Sequence, residues 1–221
     1  MKALVVLSGG MDSATALAHA IAQGYEICGG VHFQYGSKHN AMELVAAHAL
    51  ADHFNIPLHV IELGFINTLF KSDLLKSGGE VPDGHYEDLS MKRTVVPFRN
   101  GIMLSIAAGL AESLEADCIT LGNHAGDHAI YPDCRAEFVL PMTAAVEVGT
   151  YRRIKLQTPF VSLSKADIAR IGHNLGVPFD LTWSCYKGGK KHCGKCGTCV
   201  ERIEAFQKSG VKDPTVYEVG T

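Results

Sequence analysis

Apolar residues follow two alternating regimes along this chain. From Ala3 to Leu7 they form an unbroken β-prone run that stops at Ser8-Gly9-Gly10, and through Ala14, Leu17, Ala18 and Ile21 they recur at helical spacing. The pattern predicts strand, tight loop, helix. It continues with strand over 25–33, helix over 40–54, strand over 58–63, helix over 100–114, strand over 117–121 and helix over 135–148. Strands that are apolar throughout, separated by amphipathic helices, predict a parallel sheet covered on both faces. Beyond Leu156, Ser164-Lys165-Ala166-Asp167 has the form of a capping box opening a helix to Leu175, where Gly176 and Pro178 end it.

Two stretches break this rhythm. Residues 76–92 (KSGGEVPDGHYEDLSMK) are polar and long for a connection, as befits either a disordered insertion or a mobile lid. Residues 183–199 are rich in Gly and Lys and poor in apolar side chains, so they cannot form a core without an external tie. The chain therefore divides into an α/β domain, 1–182, and a C-terminal segment, 183–221, with a helix beginning near Val200.

Composition narrows the classes. With 47% hydrophobic residues over 221 positions, the chain can bury a real core. A net charge of −3, from 20 basic and 23 acidic residues, gives no broad positive field for a nucleic-acid backbone, so direct nucleic-acid binding is not expected. No apolar run approaches the roughly 18 residues of a membrane span and no signal-peptide pattern opens the chain, which predicts a cytoplasmic protein with no membrane partner.

The loop after the first strand carries the first chemistry. A Gly-rich turn between strand and helix presents backbone N–H groups and the positive end of the helix dipole to an anion, and phosphate is the natural guest. In Leu7-Ser8-Gly9-Gly10-Met11-Asp12-Ser13, the glycines allow close approach, Ser8 and Ser13 can donate hydroxyls, and Asp12 could cap the helix or face a phosphate-bound Mg²⁺. The lysine of a G-x-x-x-x-G-K-[ST] loop and the three glycines of a dinucleotide fingerprint are both missing. The hexapeptide SGGMDS at the end of a first strand resembles the pyrophosphate-binding loop of the PP-loop ATP pyrophosphatases, which implies ATP as co-substrate and AMP as product.

Cysteine usage adds a second feature. Cys28, Cys118 and Cys134 are scattered, whereas Cys185, Cys193, Cys196 and Cys199 crowd together in overlapping C-x-x-C turns. In a reducing compartment such crowding points to metal rather than disulfides. A tetrahedral zinc site suits four soft ligands, and an iron–sulfur cluster is the rival. Four filled positions leave no opening for substrate, which makes the metal structural. Lys187, Lys190, Lys191 and Lys195 in the same loop could offset thiolate charge, contact an anion or simply be solvated.

The loop after the strand at 117–121 falls on the same rim as the first, because ligands of open α/β sheets bind outside the carboxyl ends of the strands. Asn123, His124, Asp127, His128, Tyr131, Asp133 and Arg135 make it rich in groups that fix a polar heterocycle. A carboxylate suits the N–H donors of a guanine-like edge, and Arg135 suits a substrate carboxylate through its planar fork.

Taken in order, SGGMDS, FQYGSKH (33–39), VPFRN (96–100), YPDCRAEF (131–138), TPFVSLSKADI (158–168) and the SCY…CGKCGTC tail resemble the 7-cyano-7-deazaguanine synthase family from residue 2 to about residue 206. The resemblance implies a homodimeric, doubly wound, mainly parallel α/β fold of adenine-nucleotide α-hydrolase type, with one structural zinc per chain on Cys185, Cys193, Cys196 and Cys199. It implies an ATP-dependent C–N ligase that turns 7-carboxy-7-deazaguanine and ammonia into the nitrile. Residues 7–13 would bind ATP, Tyr35, Asp127, Tyr131, Asp133 and Arg135 the deazapurine, and Asp12, His39, Arg99 and Lys165 would serve the chemistry. Lys165 or Arg99 would neutralise charge on the transferred group, and His39 would be acid/base or a purine contact.

The family usually has F-D-Y-G-Q-R-H where this chain has Gln34, Ser37 and Lys38, and S-G-Y-P-D-C-R where it has Ala129-Ile130-Tyr131; Tyr35, Gly36, His39 and Asp127 are kept. Contacts of the replaced side chains do not carry over, which leaves room for an enzyme that uses another deazapurine or stops at the amide. The other readings are a PP-loop enzyme that modifies tRNA, which needs an RNA-binding surface, and a nucleotide sensor with a zinc-tail binding module, which would hold ATP without consuming it.

Overall fold

The computed structural model describes residues 1–85, 88–124 and 130–218. Its centre is an all-parallel sheet of β1 (Lys2–Val6), β2 (Glu26–Gln34), β3 (Leu58–Glu62), β4 (Cys118–Thr120) and β5 (Lys155–Gln157), in the order β3-β2-β1-β4-β5. The helices are α1 (Met11–Ala22), α2 (Asn40–His53), a short α3 (Phe65–Leu69), α4 (Arg99–Ser113), α5 (Ala136–Gly149), α6 (Lys165–Asn174) and α7 (Gly197–Ser209).

Strand side chains alternate between faces, and the apolar run of β1 feeds two cores. Leu4 packs with Val31, Phe33, Ile119 and Leu156 against Leu104 and Ala107 of α4. Val5 and Leu7 pack on the opposite face with Leu17 of α1, Leu50 of α2 and Ala169 of α6. The sheet is thus doubly wound. Its order reverses between β1 and β4, so the crevice for a ligand opens above the carboxyl ends of those two strands.

The Ser164 hydroxyl accepts from the Asp167 N–H at 3.2 Å while the Ser164 N–H donates to the Asp167 carboxylate at 3.2 Å, the reciprocal bonding of a capping box. Two elements lie outside the periodic pattern. β5, with one buried side chain, and α3, of five residues, are too short for periodicity to register. Helix α7 begins at Gly197, ahead of the position near Val200, because Cys196 caps it from within the cysteine turn.

The described parts of 76–92 are ordered against the rest of the chain. Asp83 bridges to Cys196, the Gly84 N–H donates to the Lys195 carbonyl at 3.1 Å, and Lys187 pairs with Asp83 at 2.5 Å. Met91, 1% exposed in a 3-10 turn, packs on Ile130, Tyr131 and Cys134. These contacts replace the disordered alternative for the described residues of that stretch.

The tail is anchored through Arg202, whose side chain is fully buried. Its guanidinium donates to Thr182 Oγ1 at 2.8 Å, Ser184 Oγ at 3.1 Å, the Phe179 carbonyl at 3.0 Å and Asp213 Oδ1 at 3.3 Å. Burial alone would raise the Asp213 carboxyl, but Arg202 and hydrogen bonds from Tyr217 and Thr215 outweigh it and hold it below its ordinary value. A carboxyl lowered on folding contributes stability above its unfolded pKa and loses it as pH falls through the folded one. Arg202→Met is expected to cost about 3–5 kcal/mol in urea unfolding at neutral pH, because it strands a half-buried carboxylate. The difference between variant and parent should shrink as Asp213 becomes protonated.

Candidate active site

The carboxyl end of β1 turns at Gly9, whose φ of +94° favours glycine. A Cβ there would stand 2.5 Å from the Glu43 carbonyl of α2, so the turn is also closed to larger residues by packing. The Trp183 N–H donates to the Gly9 carbonyl at 2.9 Å, tying the turn to the tail. Ser13 Oγ donates to the Gly10 carbonyl at 3.0 Å and lies 3.1 Å from Ser8 Oγ. From across the crevice Gly122 supports the first turn of α1, where a Cβ would stand 2.7 Å from the Asp12 carbonyl carbon. The result is a helix N-terminus with free-standing N–H groups and about half a positive charge, facing a cavity of about 260 Å³.

At this end of the cavity, side chains remote in sequence meet. Lys165 Nζ lies 3.2 Å from Asp12 Oδ2 and 2.7 Å from Glu201 Oε2, and His124 Nε2 lies 3.8 Å from Asp12 Oδ2. Asp12 Oδ1 is buried with no hydrogen-bond partner among the described residues. A bare carboxylate oxygen beside a phosphate-sized opening fits a hard, oxygen-seeking cation.

The other end is built around Arg99. Phe98 adopts a left-handed conformation (φ +52°) that lays its ring over Gly101, where a Cβ would stand 2.4 Å from the ring. Asp133 Oδ2 accepts the Asn100 N–H at 2.8 Å, capping α4 from a separate loop. These constraints turn Arg99 into the cavity, where its Nη1 donates to Tyr35 Oη at 3.3 Å. Tyr131, 5% exposed, lies 3.3 Å from Thr94 Oγ1 through its hydroxyl and lines the same wall.

His39 and Glu43, one turn apart on α2, form a pair with Nε2 3.3 Å from Oε2. The His39 ring stacks on Tyr186 from the cysteine-rich tail, with centroids 4.9 Å apart. Burial, reinforced by the Arg99 charge, pushes the imidazole down to about 3, and burial pushes the Glu43 carboxyl up to about 8 against the pull of Arg99. Burial thus favours the neutral form of each group.

Cys185, Cys193, Cys196 and Cys199 are all buried and bring their sulfurs within 4.8 Å of one another. A tetrahedral metal with bonds of about 2.3 Å sets sulfurs about 3.8 Å apart, and Cys193 and Cys199 already stand at 3.9 Å. Gly194, at φ +70°, turns the Lys195 and Cys196 N–H groups toward the Cys193 sulfur at 3.4 and 3.3 Å. Four converging thiols with amide support fit a closed metal site.

The residues expected from sequence are unevenly placed. Ser8, Gly10, Met11, Asp12, Ser13, Tyr35, His39, Arg99, Tyr131, Asp133 and Lys165 line one cavity. Leu7 is buried in the core behind the loop. Arg135 is exposed and lies in a separate shallow groove beside Pro132 and Phe138, so the guanidinium inside the cavity is that of Arg99. Asp127 lies outside the described residues. Glu43, Glu201 and Tyr186 were not singled out by sequence; the i,i+4 spacing of His39 and Glu43 was a usable signal, whereas Glu201 is placed by tail packing alone.

The positions that depart from the family pattern are used internally. Gln34 Nε2 lies 2.8 Å from His32 Nε2 and donates to the Asn40 carbonyl at 3.2 Å, and Lys38 donates to the carbonyls of Asp73 and Leu75. The Ser37 N–H donates to Asn40 Oδ1 at 2.7 Å. All three shape the loop that carries Tyr35 and His39.

Comparison with known proteins agrees with this arrangement. The chain is 54% identical over 215 residues to a protein of Porphyromonas gingivalis named 7-cyano-7-deazaguanine synthase, covering 97% of this chain and 96% of that one. It is 51% identical over 219 residues to one of the same name from Caldicellulosiruptor saccharolyticus, covering 99% and 96%. Among solved structures, a predicted subunit of a tRNA methyltransferase from Methanocaldococcus jannaschii aligns with a TM-score of 0.51 at 17% identity over 80% of this chain and 74% of that one, a likeness of fold alone. The family model described as queuosine biosynthesis protein QueC matches residues 2–210, and this chain belongs to that family.

Proposed function

We propose that this chain is an ATP-dependent C–N ligase that converts 7-carboxy-7-deazaguanine and ammonia into 7-cyano-7-deazaguanine, releasing AMP and diphosphate. The observation that carries the reading is the convergence, in one cavity, of a lysine-free anion loop with a half-buried arginine and a buried tyrosine. The names of the full-length relatives supply the substrate.

A carboxylate is a poor electrophile. Transfer of AMP from ATP makes a mixed anhydride with a good leaving group, and ammonia then gives the amide. Removing the last oxygen needs a second activation in the same site, so each nitrile consumes two ATP. The N–H groups of residues 8–13 hold the departing diphosphate, where a γ-phosphoryl-transfer loop would carry a lysine. Lys165, held between Asp12 and Glu201, is within reach of the phosphate end and offsets charge that develops on the transferred group. Arg99, with its planar fork, faces the substrate carboxylate, while Tyr35 and Tyr131 wall the heterocycle. Asp12 Oδ1 would hold Mg²⁺, which screens phosphate charge when bound.

In the same reading, Cys185, Cys193, Cys196 and Cys199 hold one zinc ion that ties residues 183–221 to an ATP-binding domain of residues 1–182. The protein works as a cytoplasmic homodimer on a free base. Asp127 takes the N–H edge of the deazapurine in the same reading, and the Arg99 guanidinium has the place expected of Arg135.

Three measurements test the proposal. AMP should form from ATP only with the carboxy-deazaguanine and ammonium both present, with two AMP per nitrile in the product's mass spectrum; ADP as product would overturn it, and a single AMP with the amide would identify an amide synthase. Gly9→Ala should lower AMP formation by about 10²-fold or more, since its Cβ displaces the loop against Glu43. Removal of metal with a thiol-competing chelator should lower the unfolding midpoint and release one zinc per chain by atomic absorption.

A further inference from the structure

At neutral pH ammonia reaches an enzyme as ammonium, which has no lone pair to attack an acyl group. A ligase that uses free ammonia therefore needs a proton acceptor inside its cavity. Among the described residues the cavity is lined by three carboxyl groups, those of Asp12, Glu43 and Asp133. Asp12 is engaged by Lys165 at 3.2 Å, and Asp133 accepts the Asn100 N–H at 2.8 Å. Glu43 faces the cavity with 15% of its side chain exposed and is oriented by His39 at 3.3 Å.

We propose that Glu43, oriented by His39, is the general base that takes a proton from incoming ammonium, and that the end of the cavity between Tyr35 and Tyr186 is the ammonia subsite. This rests on the ligase reading above. The His39 ring lies between those two tyrosines, 6.5 Å from the Tyr35 ring and 4.9 Å from that of Tyr186, so the acceptor sits in an aromatic recess. Arg99 shares the cavity, and its fixed charge repels ammonium but not ammonia. Transfer of one proton to Glu43 relieves that repulsion. A buried carboxyl raised to about 8 also holds a proton more firmly than an ordinary carboxylate, as a base working on ammonium requires.

The step balances. The ionised fraction of Glu43, which grows as pH rises toward 8, is the acceptor, and its carboxylate and ammonium become a carboxylic acid and ammonia. The ammonia lone pair forms the C–N bond to the acyl carbon, the C–O bond to AMP breaks with its electron pair leaving on phosphate, and the surplus proton on nitrogen passes to water. Glu43, whose side chain is 15% exposed, then returns its proton to solvent.

Hydroxylamine is unprotonated at neutral pH and traps acyl adenylates without a base, so it separates this role from a packing role. With Glu43→Gln, exchange of labelled diphosphate into ATP in the presence of the carboxy-deazaguanine should stay within about twofold of the parent, hydroxamate formation should persist, and ammonium-dependent turnover should fall about 10²-fold or more. Glu43→Asp should recover part of the ammonium rate. Ammonium turnover unchanged in Glu43→Gln, or ammonium and hydroxylamine rates falling together in both variants, would overturn the proposal. Absence of diphosphate exchange in the parent protein would instead remove the ligase reading itself.

Discussion

A stretch with too little apolar surface to fold must be tied by something else, and four cysteine thiols converging within 4.8 Å are that tie here. Their turn starts α7 and so sets where the rest of the tail falls. Arg202, one turn along, is buried against the carbonyl of Phe179 and the hydroxyls of Thr182 and Ser184. Trp183 hydrogen-bonds the Gly9 carbonyl, Tyr186 stacks on His39, and Glu201 reaches Lys165. A cluster that touches no reacting atom thus shapes both ends of the cavity. Its contribution to function is geometric.

The cavity itself follows from sheet topology. Parallel strands aim their carboxyl ends at one rim, and the reversal of order between β1 and β4 opens a crevice there. Backbone amides and a helix dipole occupy one side of the gap, and the half-buried Arg99 guanidinium occupies the other. Both are positive features in a poorly solvated space, suited to polyanionic ATP and a carboxylate substrate. His39 and Glu43 line the same cavity, where burial favours their neutral forms. Electrostatic division of the cavity into a phosphate end and a base-bearing end is therefore a result of where each group is buried.

Periodicity made the frame legible because a strand covered on both faces must be apolar at every position, and a helix on a sheet must be apolar once per turn. The first loop was legible for a related reason: its chemistry is carried by backbone, and only glycine permits the φ of +94° at Gly9 and the 2.5 Å approach of Glu43. The cysteines were legible through spacing, since C-x-x-C turns bring sulfurs together locally. Arg99 and Arg135 were harder to separate. Each stands at the start of a helix, Arg99 opening α4 and Arg135 preceding α5, and the left-handed Phe98 with its space at Gly101 decides that Arg99 enters the cavity.

By itself, then, the sequence determined the layered α/β frame, the anion loop, the metal-binding set and the family pattern, all of which rest on local spacing or on residue types that a backbone conformation demands. The tertiary structure alone decided that Lys165 joins Asp12 to Glu201, that Tyr186 covers His39, and that Arg99 rather than Arg135 lines the cavity. Those are contacts between residues 36 to 153 positions apart, fixed by how helices pack on a twisted sheet and by where a tied tail lands. Neither is encoded in any one window of the chain.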